Sequence, residues 1–362
     1  MILDEIVSRD RRDFPILAEN TYLDVARAAP LSTLVADAVR AYLVEAQASP
    51  HWVPRWSERI AEFRALAARS IAAAPAQISI TRNVSDGLRA VAEAFSWQAG
   101  DNVVLASDLE HPNARLVWQR FGEKGVEIRI VPSRHGRTDE RAASQALDSR
   151  TRVLMASSML YSTGHRTDLR ALSQACRRTG CFFLVDAAQS VGVEALDVEA
   201  LGIDGLAATA CKGLLSIPGC GFLYCDERWR ATLRGARERH GFEIGQSNLL
   251  PIIASSAALA RLLEVGIGNV QSRCRLLATS LREGIVDLRP PFGVDAPDGN
   301  LVVLHGPDSV LAHAHAHLLR NNVQASMRDG RLRFSVHYYN DLRDVERAVE
   351  VLSQALATGA RS

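Results

Sequence analysis

Residues 181–189 read Cys181-Phe182-Phe183-Leu184-Val185-Asp186-Ala187-Ala188-Gln189, and residues 206–213 read Leu206-Ala207-Ala208-Thr209-Ala210-Cys211-Lys212-Gly213. Each is a short apolar run, the length of one strand covered on both faces. Each leads to a residue that is expensive to bury: a carboxylate at Asp186, an ammonium at Lys212. In open α/β sheets, ligands bind beyond the carboxyl ends of the strands, where both residues fall. A helix cap or a structural salt bridge is the plainer reading of Asp186. Gln189 one turn later and Lys212 at the next strand's end favour a ligand site.

Lys212 and Lys124 are the only lysines among 42 Lys plus Arg. An ammonium can lose its proton and attack a carbonyl, whereas a guanidinium stays charged. Lys124 lies in the polar turn Phe121-Gly122-Glu123-Lys124-Gly125 and reads as solvated surface. That leaves Lys212 as the amine with a task. An amine and a carboxylate closing successive strands are what pyridoxal 5'-phosphate needs, one for a Schiff base and one to keep its pyridine nitrogen protonated.

Outward from these runs, the pattern from about residue 80 to 225 alternates short apolar strands with helical spacing. The strands include Gln77–Ile80, Asn102–Ala106, Val126–Val131, Thr151–Ala156 and Gly221–Cys225. Such alternation predicts an α/β fold with a mostly parallel sheet. After Gly241 the pattern changes. Ala257–Gly266 and Arg273–Leu281 read as long helices, Leu301–Leu304 and Leu332–Val336 as strands, and Asp341–Leu356 as a final amphipathic helix. The expected organisation is an N-terminal segment at 1–20 packing with the small domain, a large domain at 21–250, and a smaller α+β domain at 251–362.

Composition narrows the classes of function. The apolar fraction is 47%, the charged fraction 23% and the formal net charge +1, with no run of five like charges. Nothing favours a nucleic-acid or acidic-membrane partner. Six cysteines without CxxC spacing argue against a zinc site and for reduced thiols. The first residues carry acidic groups and no long apolar core, and no stretch reaches 18 uncharged apolar residues. Neither a signal peptide nor a membrane span is expected, and the expected address is the cytoplasm.

Other segments hold candidates with two readings. Thr81-Arg82-Asn83-Val84-Ser85-Asp86-Gly87 stands between a strand and a helix; it is a phosphate cradle or an ordinary N-cap by Ser85. His111 in Asp108-Leu109-Glu110-His111-Pro112 follows a strand end; it lies on a cofactor ring or is a surface histidine. The loop Pro50-His51-Trp52-Val53-Pro54-Arg55-Trp56 approaches a substrate or is packed surface. His313 and His317 are four apart in a helical pattern with no acid or thiolate close by, so no metal is assigned.

The order and spacing of these signals resemble the class V aminotransferase family of fold-type I pyridoxal phosphate enzymes. That group includes cysteine desulfurases, selenocysteine lyases and isopenicillin N epimerase. The resemblance runs from Thr21-Tyr22-Leu23-Asp24 to Tyr338-Tyr339-Asn340. It implies a seven-stranded, mostly parallel sheet, pyridoxal phosphate as cofactor, an amino-acid substrate and a homodimer with a shared site. By the same resemblance Lys212 forms the Schiff base and moves protons, Asp186 pairs with the pyridinium, Gln189 meets the ring 3-oxygen and His111 stacks on the ring. Val84 and Ser85 hold the phosphate with Thr209, and Phe242–Asn248, with Gln246 and Ser247, reaches the partner subunit's phosphate. Arg333 grips the substrate carboxylate, and Tyr161 and His51 approach the substrate.

Four departures from the family pattern bear on function. Cys211 stands where a histidine often precedes the lysine, Gln246 where a threonine is usual, and Tyr161 where desulfurases place an asparagine. Asn321–Arg331 lacks the desulfurase cysteine, which speaks against a persulfide-forming enzyme. The remaining expectations are an eliminating or replacing lyase on an unusual amino acid, then an aminotransferase, then an epimerase. A catalytically silent protein on the same fold is the non-enzyme alternative.

Overall fold

The computed structural model describes residues 2–50, 53, 55–236, 241–243, 245–295 and 299–359. The apolar runs of its first two thirds form one sheet. Its strands are β1 (Ile78–Thr81), β2 (Asn102–Leu105), β3 (Glu127–Ile130), β4 (Thr151–Ser157), β5 (Phe182–Asp186), β6 (Gly205–Thr209) and β7 (Gly221–Cys225). They lie in the order β1-β7-β6-β5-β4-β2-β3. Strands β2 to β6 pair in parallel, and β7 runs antiparallel to both neighbours.

Successive side chains along these strands enter opposite cores. Val104, Leu154, Phe183, Val185 and Leu206 face one, and Val103, Val153, Phe182, Leu184 and Ala207 face the other. With helices on both faces, every position of β5 is buried, which is why the run reads as continuously apolar rather than alternating. The order reverses between β2 and β4, and such a switch leaves a crevice at the strands' carboxyl ends.

A second, antiparallel sheet consists of β8 (Gly293–Val294), β9 (Leu301–His305), β10 (Ser326–Arg328) and β11 (Arg331–Ser335), in the order β10-β11-β9-β8. The two helical patterns after Gly241 extend further than their periodicity indicates, to Leu249–Val265 and Ile267–Asp287. Gly266, at φ +87°, separates them, and the chain bends by 80° there. Among the described residues no single helix is long and apolar enough to cross a membrane.

The start of the chain lies against its end. Thr21–Tyr22 pairs in parallel with Val323–Gln324. Arg11 Nη1 donates to Asp344 at 2.6 Å, and the Phe14 ring sits 4.8 Å from that of Tyr339. This places Asp24 beside β11.

Candidate active site

Asp186 closes β5, and Lys212 follows β6 by three residues. Both line one cavity of about 750 Å³ together with Val84, Ser85, His111, Tyr161, Gln189, Thr209 and Cys211. Asp186 is 6% exposed. Its Oδ1 accepts from the Ala188 amide at 3.0 Å, and its Oδ2 has no hydrogen-bond partner among the described residues. Burial pushes the carboxyl up, against the Ala188 bond and the Lys212 charge. Burial pushes the Lys212 ammonium down, and Asp186 opposes it. The amine and the carboxylate therefore share a cavity without being tied to each other by an ion pair.

The loops that carry them touch through glycine. A Cβ on Gly192, at φ +86°, would stand 2.3 Å from the Gly213 carbonyl oxygen, and one on Gly213 would stand 2.4 Å from the Val191 oxygen. No side chain fits at either position, so the Lys212 loop lies directly on the loop after Asp186. From the small sheet's side, the His337 Nε2 atom lies 3.0 Å from the same Gly213 oxygen. An oxygen acceptor requires that nitrogen to carry the proton. Burial holds His337 neutral, with its pKa lowered to about 4.

The helix Val84–Ala94 points its N-terminus at the cavity. Its cap is Asn83, whose Oδ1 accepts from the Asp86 amide at 2.9 Å. The cap therefore lies two residues before Ser85, and Ser85 lines the cavity instead. The first-turn amides and the Ser85 hydroxyl together make a site for a phosphate dianion.

His111 caps the helix Pro112–Gln119, its Nδ1 accepting from the Asn113 amide at 3.2 Å. Its ring meets Tyr161 edge-on, with centroids 4.7 Å apart. Tyr161 donates from its hydroxyl to Asp329 Oδ2 at 2.5 Å. Asp329, at φ +47°, forms with Gly330 the tight turn between β10 and β11. The tip of the small sheet thus meets the switch-point loop over the cavity.

Arg333 lies beneath this contact. It is 1% exposed. Nη1 donates to the Tyr161 carbonyl at 2.6 Å, and Nη2 lies 3.8 Å from Asp24 Oδ1 and 3.4 Å from Ser326 Oγ. Nε is buried with no partner. Burial lowers its pKa to about 10, with Asp24 opposing.

Residues 21–348 match the family described as aminotransferase class-V. The chain belongs to that family. Class V membership makes it a pyridoxal 5'-phosphate-dependent enzyme. It is 26% identical to a probable cysteine desulfurase of Methanothermobacter thermautotrophicus, over 96% of this chain and 98% of that one. It is 29% identical to the isopenicillin N epimerase of Amycolatopsis lactamdurans, over 84% of each chain. Its fold superposes on the cystine C–S lyase C-DES, solved with its product cysteine persulfide, with a TM-score of 0.87. That pair is 23% identical, over 94% of this chain and 99% of the other.

The class V cofactor fits the donors present: a free amine, a buried carboxylate with one unpaired oxygen, and a helix N-terminus in one cavity. Gln189, whose Nε2 donates to the Ala26 carbonyl at 3.3 Å, and Thr209 complete the lining. Gln246 and Ser247 do not join it, and Gln246 is exposed. His51 lies outside the described residues.

Sequence reading missed Glu110. It is 1% exposed and accepts from the Ser157 amide at 2.9 Å and the Ser157 hydroxyl at 2.5 Å. Burial, with Asp186 adding, pushes its pKa up to about 7. It also missed the Asp24–Arg333 pair and Arg328. A buried acid directly before His111 was the one local signal available.

Proposed function

We propose that the protein is an amino-acid lyase that expels or replaces a substituent beyond the substrate's α-carbon. Lys212 is its proton carrier. The observation that carries this reading is the β10–β11 hairpin. Where desulfurases need a mobile cysteine-bearing loop, this chain has a two-residue turn, and Asn321–Arg331 holds no thiol to accept sulfur. The likeness to a cystine C–S lyase supports the same reading.

Val84 amide, Ser85 and Thr209 would hold the cofactor's phosphate, Asp186 its ring nitrogen, Gln189 its ring oxygen, His111 its face and Lys212 its carbonyl carbon. Bound there, the cofactor supplies an electron sink that loosens the bonds of the substrate's α-carbon. The chain's residues do the rest. The Lys212 amine, held toward its neutral form by burial, takes the α-proton and delivers it to the leaving group. The Arg333 guanidinium, whose buried Nε has no partner, grips the α-carboxylate. Tyr161 and the hairpin tip keep water out. Gln246 and Ser247 serve the cavity of a second subunit, so the enzyme works as a homodimer, in the cytoplasm.

The test is turnover without an acceptor ketoacid. The holoenzyme should show a yellow band that borohydride abolishes and Lys212→Ala lacks. It should then release ketoacid through many cycles. One ketoacid per site and no more replaces the lyase with an aminotransferase. No band after added pyridoxal phosphate overturns the enzyme roles of these residues.

A further inference from the structure

The proposed function leaves one charge near the amine unused. Strand register places it. Ser326 pairs with Arg333 and Arg328 with Arg331, while Met327 pairs with Leu332. Paired residues share a face and alternate along the strand. Arg328 therefore stands on the same face as Arg333, diagonal to it, at the roughly 7–8 Å typical of such neighbours. Met327 and Leu332 occupy the opposite face, and Leu332 is fully buried.

The two arginines differ in how they are matched. Arg333 has Asp24 beside it. Arg328 is half-buried, and its Nη1 donates only to the neighbouring Met327 carbonyl, at 2.9 Å. Among the described residues it makes no ion pair. The nearest acid in sequence, Asp329, is taken by the Tyr161 hydroxyl. Arg328 adjoins Asp329, the residue bonded to the cavity-lining Tyr161, and its charge is felt at Lys212, His111, Tyr161 and Asp24, although neither Arg328 nor Arg333 itself lines the cavity.

We propose that Arg328 binds a second acidic group of the substrate, so that the enzyme acts on an amino acid with a short anionic side chain. The inference rests on the amino-acid reading of the cavity and deepens it. Arg333 takes the α-carboxylate, and Arg328 takes a carboxylate, sulfinate or similar group further along the same molecule. A guanidinium matches such groups in a planar fork, and a neutral side chain would leave it half-buried and unpaired. The hairpin that excludes a desulfurase cysteine is then also the element that selects the substrate.

The test uses the holoenzyme and a panel of probes: aspartate, glutamate and cysteine sulfinate against asparagine, glutamine and alanine. Dissociation constants come from calorimetry and from the shift of the cofactor band. The acidic members should bind at least tenfold tighter than their neutral counterparts. Arg328→Met and Arg328→Gln should erase that preference while leaving affinity for the neutral members unchanged; circular dichroism verifies that both fold. Equal affinities in the parent enzyme, or a preference that survives in either folded variant, overturns the proposal. A protein that takes up no cofactor, or answers to no amino acid, overturns the underlying reading, and the proposal with it.

Discussion

Replacing Asp24 by asparagine tests whether Arg333 is held in place by one buried counter-charge. Arg333 is 1% exposed and Asp24 is 5% exposed, so solvent screens the pair little. At their 3.8 Å separation, unit charges interact by about 4 kcal/mol at an effective dielectric constant of 20. Asparagine keeps the acceptor for the Ser326 hydroxyl, which now donates to Asp24 Oδ1 at 2.7 Å, so the change isolates charge from hydrogen bonding. We expect Asp24→Asn to lower the stability of the cofactor-free protein by about 3–5 kcal/mol, the range for stranding one partner of a buried pair. Urea unfolding followed by tryptophan fluorescence measures it. Adding Arg333→Met should recover most of the loss, because an apolar side chain of similar length has no charge to strand. A loss under about 1 kcal/mol, well short of that range, or a double variant no more stable than Asp24→Asn, would refute the argument.

Two further outcomes follow from the geometry. Gly192→Ala places a Cβ 2.3 Å from the Gly213 oxygen at φ +86°; it should destabilise the protein by at least ~1–3 kcal/mol and weaken cofactor retention, read by thermal melting and by dialysis. Glu110, with its pKa raised from 4.5 to about 7, favours its protonated form in the fold. Its contribution is complete below pH 4.5 and is lost as pH rises through 7, a loss of about 3 kcal/mol at 1.36 kcal/mol per unit. Glu110→Gln mimics the protonated acid, so its stability relative to the parent should rise between pH 5 and 8. A pH-independent difference in denaturation midpoints would remove Glu110 from that role.

The strand that ends at Asp186 and the loop that carries Lys212 were legible because burial on both faces writes a continuous apolar run. A charge at its end is then conspicuous. The antiparallel direction of β7 was not legible, since Gly221–Cys225 is as apolar as its parallel neighbours and direction leaves no mark on composition. Ser85 stood as one of two readings, a cradle or a cap, and the cap proved to be Asn83, because both residue types cap well and boundaries blur by a residue or two. Arg333 was found through the Leu332-Arg333-Phe334-Ser335 segment. Its counter-ion Asp24 was not, because 309 positions separate the two and no local pattern links them. The same holds for Tyr161 and Asp329, 168 positions apart. Arg328 carries no local signal in the sequence; only strand register sets it beside Arg333.

The pairing of Thr21–Tyr22 with Val323–Gln324 has a consequence for how the molecule is made. Asp24 leaves the ribosome some three hundred residues before β11. The large sheet can form with Lys212 and Asp186 in position before Arg333 has been made. Loop closure over some three hundred residues is slow compared with local pairing, and it cannot begin until β11 has been made. A nascent chain that has not yet made β11 therefore holds Lys212 and Asp186 without Arg333. Asp24 and Arg333 come together only when these distant segments meet.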